Sequence, residues 1–155
     1  MPEASALSGE APPLRRTSSK LPGYTRDSAA FWTGGERGEL LINRCSACGI
    51  YHHPPAPVCH ACRSRDVKPA VVSGGGAIVS FTVNYQPWLP GLEVPFVVAY
   101  VALDEQSDVW LMTNIVGCSV EEVAIGARVR VVFEQQEEVW VPLFELERRK
   151  DVAVR

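Results

Sequence analysis

From residue 69 onward, apolar and polar positions follow each other in short runs with the period of two that marks strands. Ala77-Ile78-Val79-Ser80-Phe81-Thr82-Val83 follows Gly74-Gly75-Gly76, which predicts a bulged, strongly curved first strand. Phe96 to Leu103 and Val109 to Val116, joined by the charged stretch Asp104 to Asp108, predict a hairpin. Ser119-Val120-Glu121-Glu122 has capping-box spacing and predicts one helical turn, ended by Gly126. Val129, Val131 and Phe133 then alternate with Arg128, Arg130 and Val132, and a last strand runs from Val139 to Phe144. Five curved strands with a helical insert between the third and fourth predict a small Greek-key barrel of OB type over residues 69–145. A five-stranded sandwich is the alternative. Upstream, Asp27 is expected to cap a short helix through Ser28, Phe31 and Trp32, stopped at Gly34-Gly35. Leu40-Leu41-Ile42 predicts a strand, and Arg63 to Lys68 a polar exit. The expected organisation is mainly β, in four parts: a flexible N-terminal arm (1–26), a helix with a metal-binding ribbon (27–68), the barrel (69–145) and a charged tail (146–155).

Composition supports a folded chain: 46% of the 155 residues are hydrophobic, enough for a real core. The longest apolar run, Val94 to Leu103, has ten residues and includes Pro95, whereas a bilayer span needs roughly 20. The first 22 residues carry Pro2, Pro12, Pro13 and Pro22 and no apolar run of signal-peptide type, so the expectation is a cytoplasmic protein. The net charge of −3 is unevenly spread. Residues 45–68 carry +2, while residues 69–145 set ten acids against Arg128 and Arg130 alone, a charge of −8. An acidic barrel is a poor partner for polyphosphate.

Four of the five cysteines form two pairs, Cys45-Ser46-Ala47-Cys48 and Cys59-His60-Ala61-Cys62, with ten residues between them. Two C-x2-C knuckles at that separation read as a tetrahedral four-thiolate zinc site, because the x2 spacing aims both sulfurs of a knuckle at one ion. Gly49 can take the positive φ that closes the first turn. Disulfides or a redox pair are the competing readings, disfavoured in a reducing compartment. Four sulfurs close the coordination shell, so the zinc is expected to be structural, one ion held by Cys45, Cys48, Cys59 and Cys62.

The order of these parts, a Phe31-Trp32 helix, a Gly38-Glu39-Leu40-Leu41 strand into Cys45-x2-Cys48-Gly49, then Pro54-Pro55, Cys59-x2-Cys62, Gly74–Gly76 and a closing Pro142-Leu143-Phe144, resembles a known family. These are the acyl-CoA-associated proteins in which a rubredoxin-like zinc ribbon is fused to an OB-fold. The resemblance covers about residues 27–145. Two positions depart from the family pattern: Ala56 stands where an arginine is usual, and the second knuckle reads Cys-His-Ala-Cys-Arg where Cys-Pro-x-Cys-Gly is usual. The resemblance implies a non-catalytic accessory subunit of a thiolase-superfamily enzyme, a thiolase or lipid-transfer-type retro-aldolase, in a heterotetramer built on the enzyme's homodimer. A hydratase is a further implied partner. The pathway implied is acyl-CoA processing in lipid, steroid or aromatic degradation.

The residues themselves agree with a missing catalytic set. His52, His53 and His60 are the only histidines, all inside or beside the zinc loop, so the barrel carries no Ser-His-Asp or Cys-His arrangement. Cys118 reads as a buried apolar residue rather than a nucleophile. If acyl-CoA is shared with the partner, its phosphates should meet Arg37, Arg44, Arg63 and Arg65, with Arg26 and Lys68 nearby in sequence, rather than the acidic barrel. Phe31, Trp32 and Trp88 are candidate partner-interface residues, since large aromatics at a surface anchor interfaces. The rival reading is a single-stranded nucleic-acid binder, which zinc ribbons and OB-folds often are. The acidic barrel offers aromatics without the bases that phosphate contacts require.

Overall fold

The computed structural model describes residues 14–15 and 21–148. A short helix, α1 (Ala29–Thr33), leads directly into a 3-10 turn over Gly34–Arg37. Ser28, not Asp27, occupies the N-cap position, and Gly34-Gly35 does not stop the helical path. The stop comes at Gly38, whose φ of 70° lets its N–H reach back to the carbonyls of Gly34 and Gly35. Gly35 serves packing instead: a Cβ there would lie 2.5 Å from Cβ of Trp140 and 2.6 Å from the Phe133 ring. The absent side chain lets the turn lie directly on the barrel wall.

The first sheet has three strands, β1 (Leu40–Cys45), β2 (Tyr51–His52) and β3 (Val67–Val72), in the order β2-β1-β3. β1 and β3 pair antiparallel from Leu40 opposite Val72 to Cys45 opposite Val67. The segment expected as a polar exit therefore already enters a strand at Val67, and β3 carries the ribbon sheet up to the barrel.

The barrel is built from β4 (Gly75–Asn84), β5 (Phe96–Leu103), β6 (Gln106–Val116), β7 (Arg128–Gln136) and β8 (Val139–Leu146), closed in the order β4-β5-β6-β8-β7. All neighbours are antiparallel except β6 and β8, which pair parallel through Ile115–Phe144 and Val116–Glu145. Pairing of β4 with β7 at Gly75–Arg130 to Ala77–Arg128 closes the cylinder. That closure establishes the OB-type barrel and rules out the open sandwich. The expected bulge in the first barrel strand is present, with the register shifting between Ile78 and Ser80. The helical insert is a 3-10 turn, Val120–Glu122, in which the Ser119 N–H donates to Glu122 Oε2 at 2.7 Å.

The hairpin turn is tighter than its charge pattern predicts, because β6 starts at Gln106. Leu103 pairs with Gln106 across the turn, and the Gln106 side chain reaches the ribbon: the Tyr51 N–H donates to Gln106 Oε1 at 2.9 Å, and Gln106 Nε2 donates to the Tyr51 carbonyl at 3.0 Å. One amide side chain thus imitates a strand neighbour and ties ribbon to barrel.

Both halves share one core. Ile78, Val97, Val101, Leu111, Ile115, Val129 and Phe144 fill the barrel, and Phe31, Leu40, Ile42 and Val72 continue the same cluster into helix and ribbon. Leu14, within the segment expected as an arm, also joins this core at 4% exposure. Its N–H donates to the Cys118 carbonyl at 2.8 Å, and its carbonyl accepts from the Gly117 N–H at 3.0 Å. Among the described residues, no helix is long and apolar enough to cross a membrane.

Candidate metal centre and the exposed apolar face

The end of β1 delivers Cys45 into the first knuckle, where the Gly49 N–H donates to the Cys45 carbonyl at 2.8 Å and the Cys45 N–H to the Ile50 carbonyl at 2.9 Å. The second knuckle repeats this pattern: the Arg63 N–H donates to the Cys59 carbonyl at 3.0 Å, and the Cys59 N–H to the Ser64 carbonyl at 2.9 Å. The two knuckles face each other. The Sγ atoms of Cys45 and Cys62 lie 3.6 Å apart, as do those of Cys48 and Cys59, and all four fall within 4.8 Å of one another. Zinc–sulfur bonds of about 2.3 Å in a tetrahedron require sulfurs roughly 3.8 Å apart. The donor set therefore fits one zinc ion, and no other cluster of this kind occurs among the described residues.

Local amides prepare the thiolates. The Cys62 amide is the strongest influence on Cys59 and, against the cost of burial, its thiol falls to about 6. The Cys48 amide likewise holds Cys45 below its ordinary value. At Cys48 the Ile50 amide favours the thiolate, but burial and the three neighbouring sulfurs outweigh it and push the thiol up to about 12. Four thiols crowded together cannot all ionise without a cation between them, which is the charge problem a divalent ion solves.

The three histidines stay outside the cluster. His60 is exposed and meets His52 edge-on at 5.6 Å between ring centres. His53 packs against Phe31 at 4.8 Å, its Nδ1 buried without a hydrogen-bond partner, and burial pushes its pKa down to about 4. Cys118 is buried, and burial first, then the charges of Glu122 and Glu145, raise its thiol to about 11. It is a protonated core residue and no nucleophile.

Of the candidate bases, Arg37 is engaged with Glu39 at 3.0 Å. Arg44 donates through Nε to the Gly49 carbonyl at 3.1 Å and lies over the Tyr51 ring. Arg44 and Lys68 are paired positions of β1 and β3 and both line a cleft of about 380 Å³. Arg63 and Arg65 are exposed on the second knuckle and its exit, and Arg26 is exposed ahead of α1.

Among the candidate interface aromatics, Phe31 is buried, in a T-shaped contact with the half-buried Trp32 at 4.8 Å. Trp88 is 72% exposed in the loop between β4 and β5, with Tyr85 and Leu89 also exposed. The sequence reading did not single out Tyr100 and Met112, which are paired across β5 and β6 on the outer barrel face, 44% and 67% exposed. Trp110, two positions from Met112, is half-exposed, with its ring 6.0 Å from that of Tyr100. Beside Met112 a cavity of about 330 Å³ opens between α1, the proline loop and β6 and β8, with Phe31, Trp32, His53 and Pro142 in its walls.

The comparisons with known proteins agree with this architecture. Residues 32–68 match the family described as "ChsH2, rubredoxin-like zinc ribbon domain", and residues 70–134 the one described as "ChsH2, C-terminal OB-fold domain". The chain is 39% identical over 112 residues to the "3-oxo-4,17-pregnadiene-20-carboxyl-CoA hydratase alpha subunit" of Mycobacterium tuberculosis, covering 72% of this chain and 35% of that protein. It is 30% identical over 105 residues to a "DUF35 domain-containing scaffold protein" of Methanocaldococcus jannaschii, covering 66% of this chain and 73% of that protein. In structure it is similar to a chain of the "Ltp2-ChsH2(DUF35) aldolase", with a TM-score of 0.71 and 35% identity over 81% of this chain and 98% of that one. The chain spans little more than a third of the length of the hydratase-named relatives it matches.

Proposed function

The chain belongs to the ChsH2/DUF35 family of zinc-ribbon OB-fold proteins, and from that premise we propose that it is a non-catalytic, zinc-containing accessory subunit. Its partner in this reading is a thiolase-superfamily enzyme, an aldolase or thiolase, acting on acyl-CoA in lipid, steroid or aromatic degradation. The observation that carries the reading is a mismatch between chemistry and surface. The four sulfurs leave a bound zinc no open position for water, and the described barrel has no histidine and only a buried, protonated cysteine. Yet Tyr100, Trp110 and Met112 are exposed side by side on the outer barrel face. Large aromatics and methionine grouped in this way suit a protein partner better than water.

The likeness to a chain from an aldolase complex supports an aldolase-type partner, and the hydratase-named relatives support a hydratase acting beside it. Such a pairing is chemically consistent, since hydration of an enoyl-CoA yields a β-hydroxyacyl-CoA, which retro-aldol cleavage can consume. One zinc held by Cys45, Cys48, Cys59 and Cys62 would serve as a structural cross-link between the two knuckles and supply no chemistry. These four residues fix the ribbon, and the ribbon in turn presents α1 and the proline loop. If coenzyme A reaches this chain, its phosphates belong on the ribbon side, where Arg44 and Lys68 flank one cleft and Arg63 and Arg65 are exposed, rather than on the acidic barrel. We place the assembly as a heterotetramer on the enzyme's own homodimer, in the cytoplasm.

The test is co-expression with an aldolase- or thiolase-type enzyme from the same organism, followed by size-exclusion chromatography and an activity assay. Co-elution, with an enzyme that is less soluble or less active alone, is the expected result. Separate elution of two fully competent proteins would reject the accessory reading.

A further inference from the structure

Resting on the accessory-subunit reading, we propose that the partner enzyme docks on the outer face of β5 and β6, through Tyr100, Trp110 and Met112, and seats one large apolar side chain in the adjoining cavity beneath α1. The exposed loop around Trp88 lies outside this contact.

Four observations converge on this face. First, it is pre-organised. Tyr100 and Met112 are fixed opposite each other by strand register, and Ala102 likewise opposes Trp110. The Trp110 indole N–H donates to the Ser107 carbonyl at 2.8 Å, which holds the ring while leaving 49% of the residue exposed. Anchors already held in place lose little freedom on binding, whereas a loop must first be ordered. Second, the face is continuous with a concavity, since Met112 belongs both to the exposed row and to the rim of the 330 Å³ cavity. That volume far exceeds the ~30 Å³ share of one water molecule and gives room for a large side chain. Binding anchors pair with pockets of this kind near the centre of an interface.

Third, the lining suits an amphipathic anchor: Phe31, Trp32, Pro54 and Pro142 give apolar walls, with the polar side chains of Ser28 and Thr113 also in the lining. An incoming residue with an apolar body and a polar tip, such as tyrosine or tryptophan, would fill the volume. Fourth, at roughly 150–250 Å² per aromatic side chain, a half-exposed trio offers on the order of 300 Å². That amount is too small for a stable interface by itself, at about 800 Å² per partner, and sufficient as its apolar centre. The patch therefore fits an enzyme subunit whose surface extends past it over α1 and the proline loop. The likeness to a chain of an aldolase complex names the chemistry of that subunit.

The measurement is titration of the full chain into the purified aldolase- or thiolase-type enzyme. Wild type is compared with Met112→Glu, Tyr100→Ser and, as a control at an exposed aromatic outside this face, Trp88→Ala. Zinc content and melting temperature of each variant serve as the check on folding, and Tyr100→Ser remains informative if Met112→Glu misfolds. The expected result is at least a tenfold loss of affinity for Met112→Glu and Tyr100→Ser, with Trp88→Ala within threefold of wild type. Affinity kept within tenfold in correctly folded Met112→Glu and Tyr100→Ser overturns the docking face and leaves the accessory reading standing. Absence of any wild-type complex rejects the accessory reading itself. A homodimer of the isolated chain that Met112→Glu dissolves assigns the face to a second copy and overturns the proposal. Wild-type binding of oligo-dT at physiological salt, lost in Tyr100→Ser, overturns it in favour of single-stranded nucleic acid.

Discussion

Arg63 occupies in the second zinc knuckle the same left-handed backbone position that Gly49 occupies in the first. Their φ angles are 61° and 79°, and each N–H donates to the carbonyl of the cysteine four residues earlier. The two knuckles are copies in backbone geometry but not in sequence. A side chain in the left-handed region costs on the order of 1–2 kcal/mol, partly offset because glycine loses more freedom on folding. Arg63→Gly should therefore stabilise the ribbon by about 0.5–1 kcal/mol. Gly49→Ala should destabilise it by about 1 kcal/mol or more through φ alone, since the nearest atom to a new Cβ is a flexible Arg44 nitrogen at 3.6 Å. Urea unfolding of the zinc-loaded protein reads both, and opposite signs are the expected outcome.

The sequence made the metal cluster legible because C-x2-C spacing is a direct statement about where sulfurs point, needing no tertiary knowledge. The barrel was legible from the alternation in Val129 to Phe133 and the glycine-opened first strand. Other features depended on distant contacts. Gly34-Gly35 looked like a helix stop, but Gly35 packs on the barrel wall formed by Phe133 and Trp140, about a hundred residues away, and Gly34 lies against the Glu39 carbonyl and Leu41. The tie of Gln106 to Tyr51 joins positions 55 residues apart. Phe96 to Val101 is apolar at every position, so period-two reasoning could not say that Tyr100 faces outward. Leu14, in a proline-rich segment, gave no periodic signal at all.

Zinc removal should uncouple the ribbon from the barrel. Purified protein is expected to hold about one zinc per chain, and Cys59→Ser to lose it. Metal-binding energy of roughly 10–16 kcal/mol in such ribbons doubles as folding energy. Hydrogen exchange should then show lost protection in Leu40–Cys45 and Val67–Val72, while the barrel pairing of β5 with β6 persists. A metal-free protein with an intact ribbon would contradict this.

Leu14 should behave as a core residue despite its place in the N-terminal segment. It is buried at 4% exposure and bonded through both backbone groups to Gly117 and Cys118. Leu14→Ala is expected to cost about 2–3 kcal/mol, measured as a shift in the denaturation midpoint with unchanged slope. A cost below about 0.5 kcal/mol, the range of ordinary surface changes, would mean the anchor is not engaged in solution.

Affinity for single-stranded nucleic acid should be weak. The two bases of residues 69–145 are both committed within the protein, Arg128 to Asp104 at 2.6 Å and Arg130 to Glu147 at 3.1 Å. Without free cations along the barrel, few counterions can be released on binding. Fluorescence anisotropy with a labelled oligonucleotide should show no saturation at micromolar protein in physiological salt. Tight binding that weakens steeply with added salt would restore the rival function.

The pH dependence of stability should carry a component from His53. Burial holds its folded-state pKa near 4, below the ordinary unfolded value of about 6.5. Between those two values the unfolded chain binds a proton that the folded chain refuses, so the folded state loses ground as pH falls. The contribution is fully present above about pH 6.5 and is lost progressively toward pH 4. Its full size is bounded by about 1.4 kcal/mol per pH unit, or at most about 3.5 kcal/mol across the window. The zinc thiolates also take up protons on acidification, so the effect must be read as a difference between wild type and His53→Gln at saturating zinc. The variant lacks the imidazole, and its stability should decline less than that of wild type between pH 6.5 and 4.5. Parallel curves would mean that His53 reaches solvent, or a hydrogen-bond partner, when the protein is free. The same comparison repeated on the complex has a distinct expectation. A partner side chain seated in the cavity that His53 lines would seal it further from water and carry the divergence to lower pH.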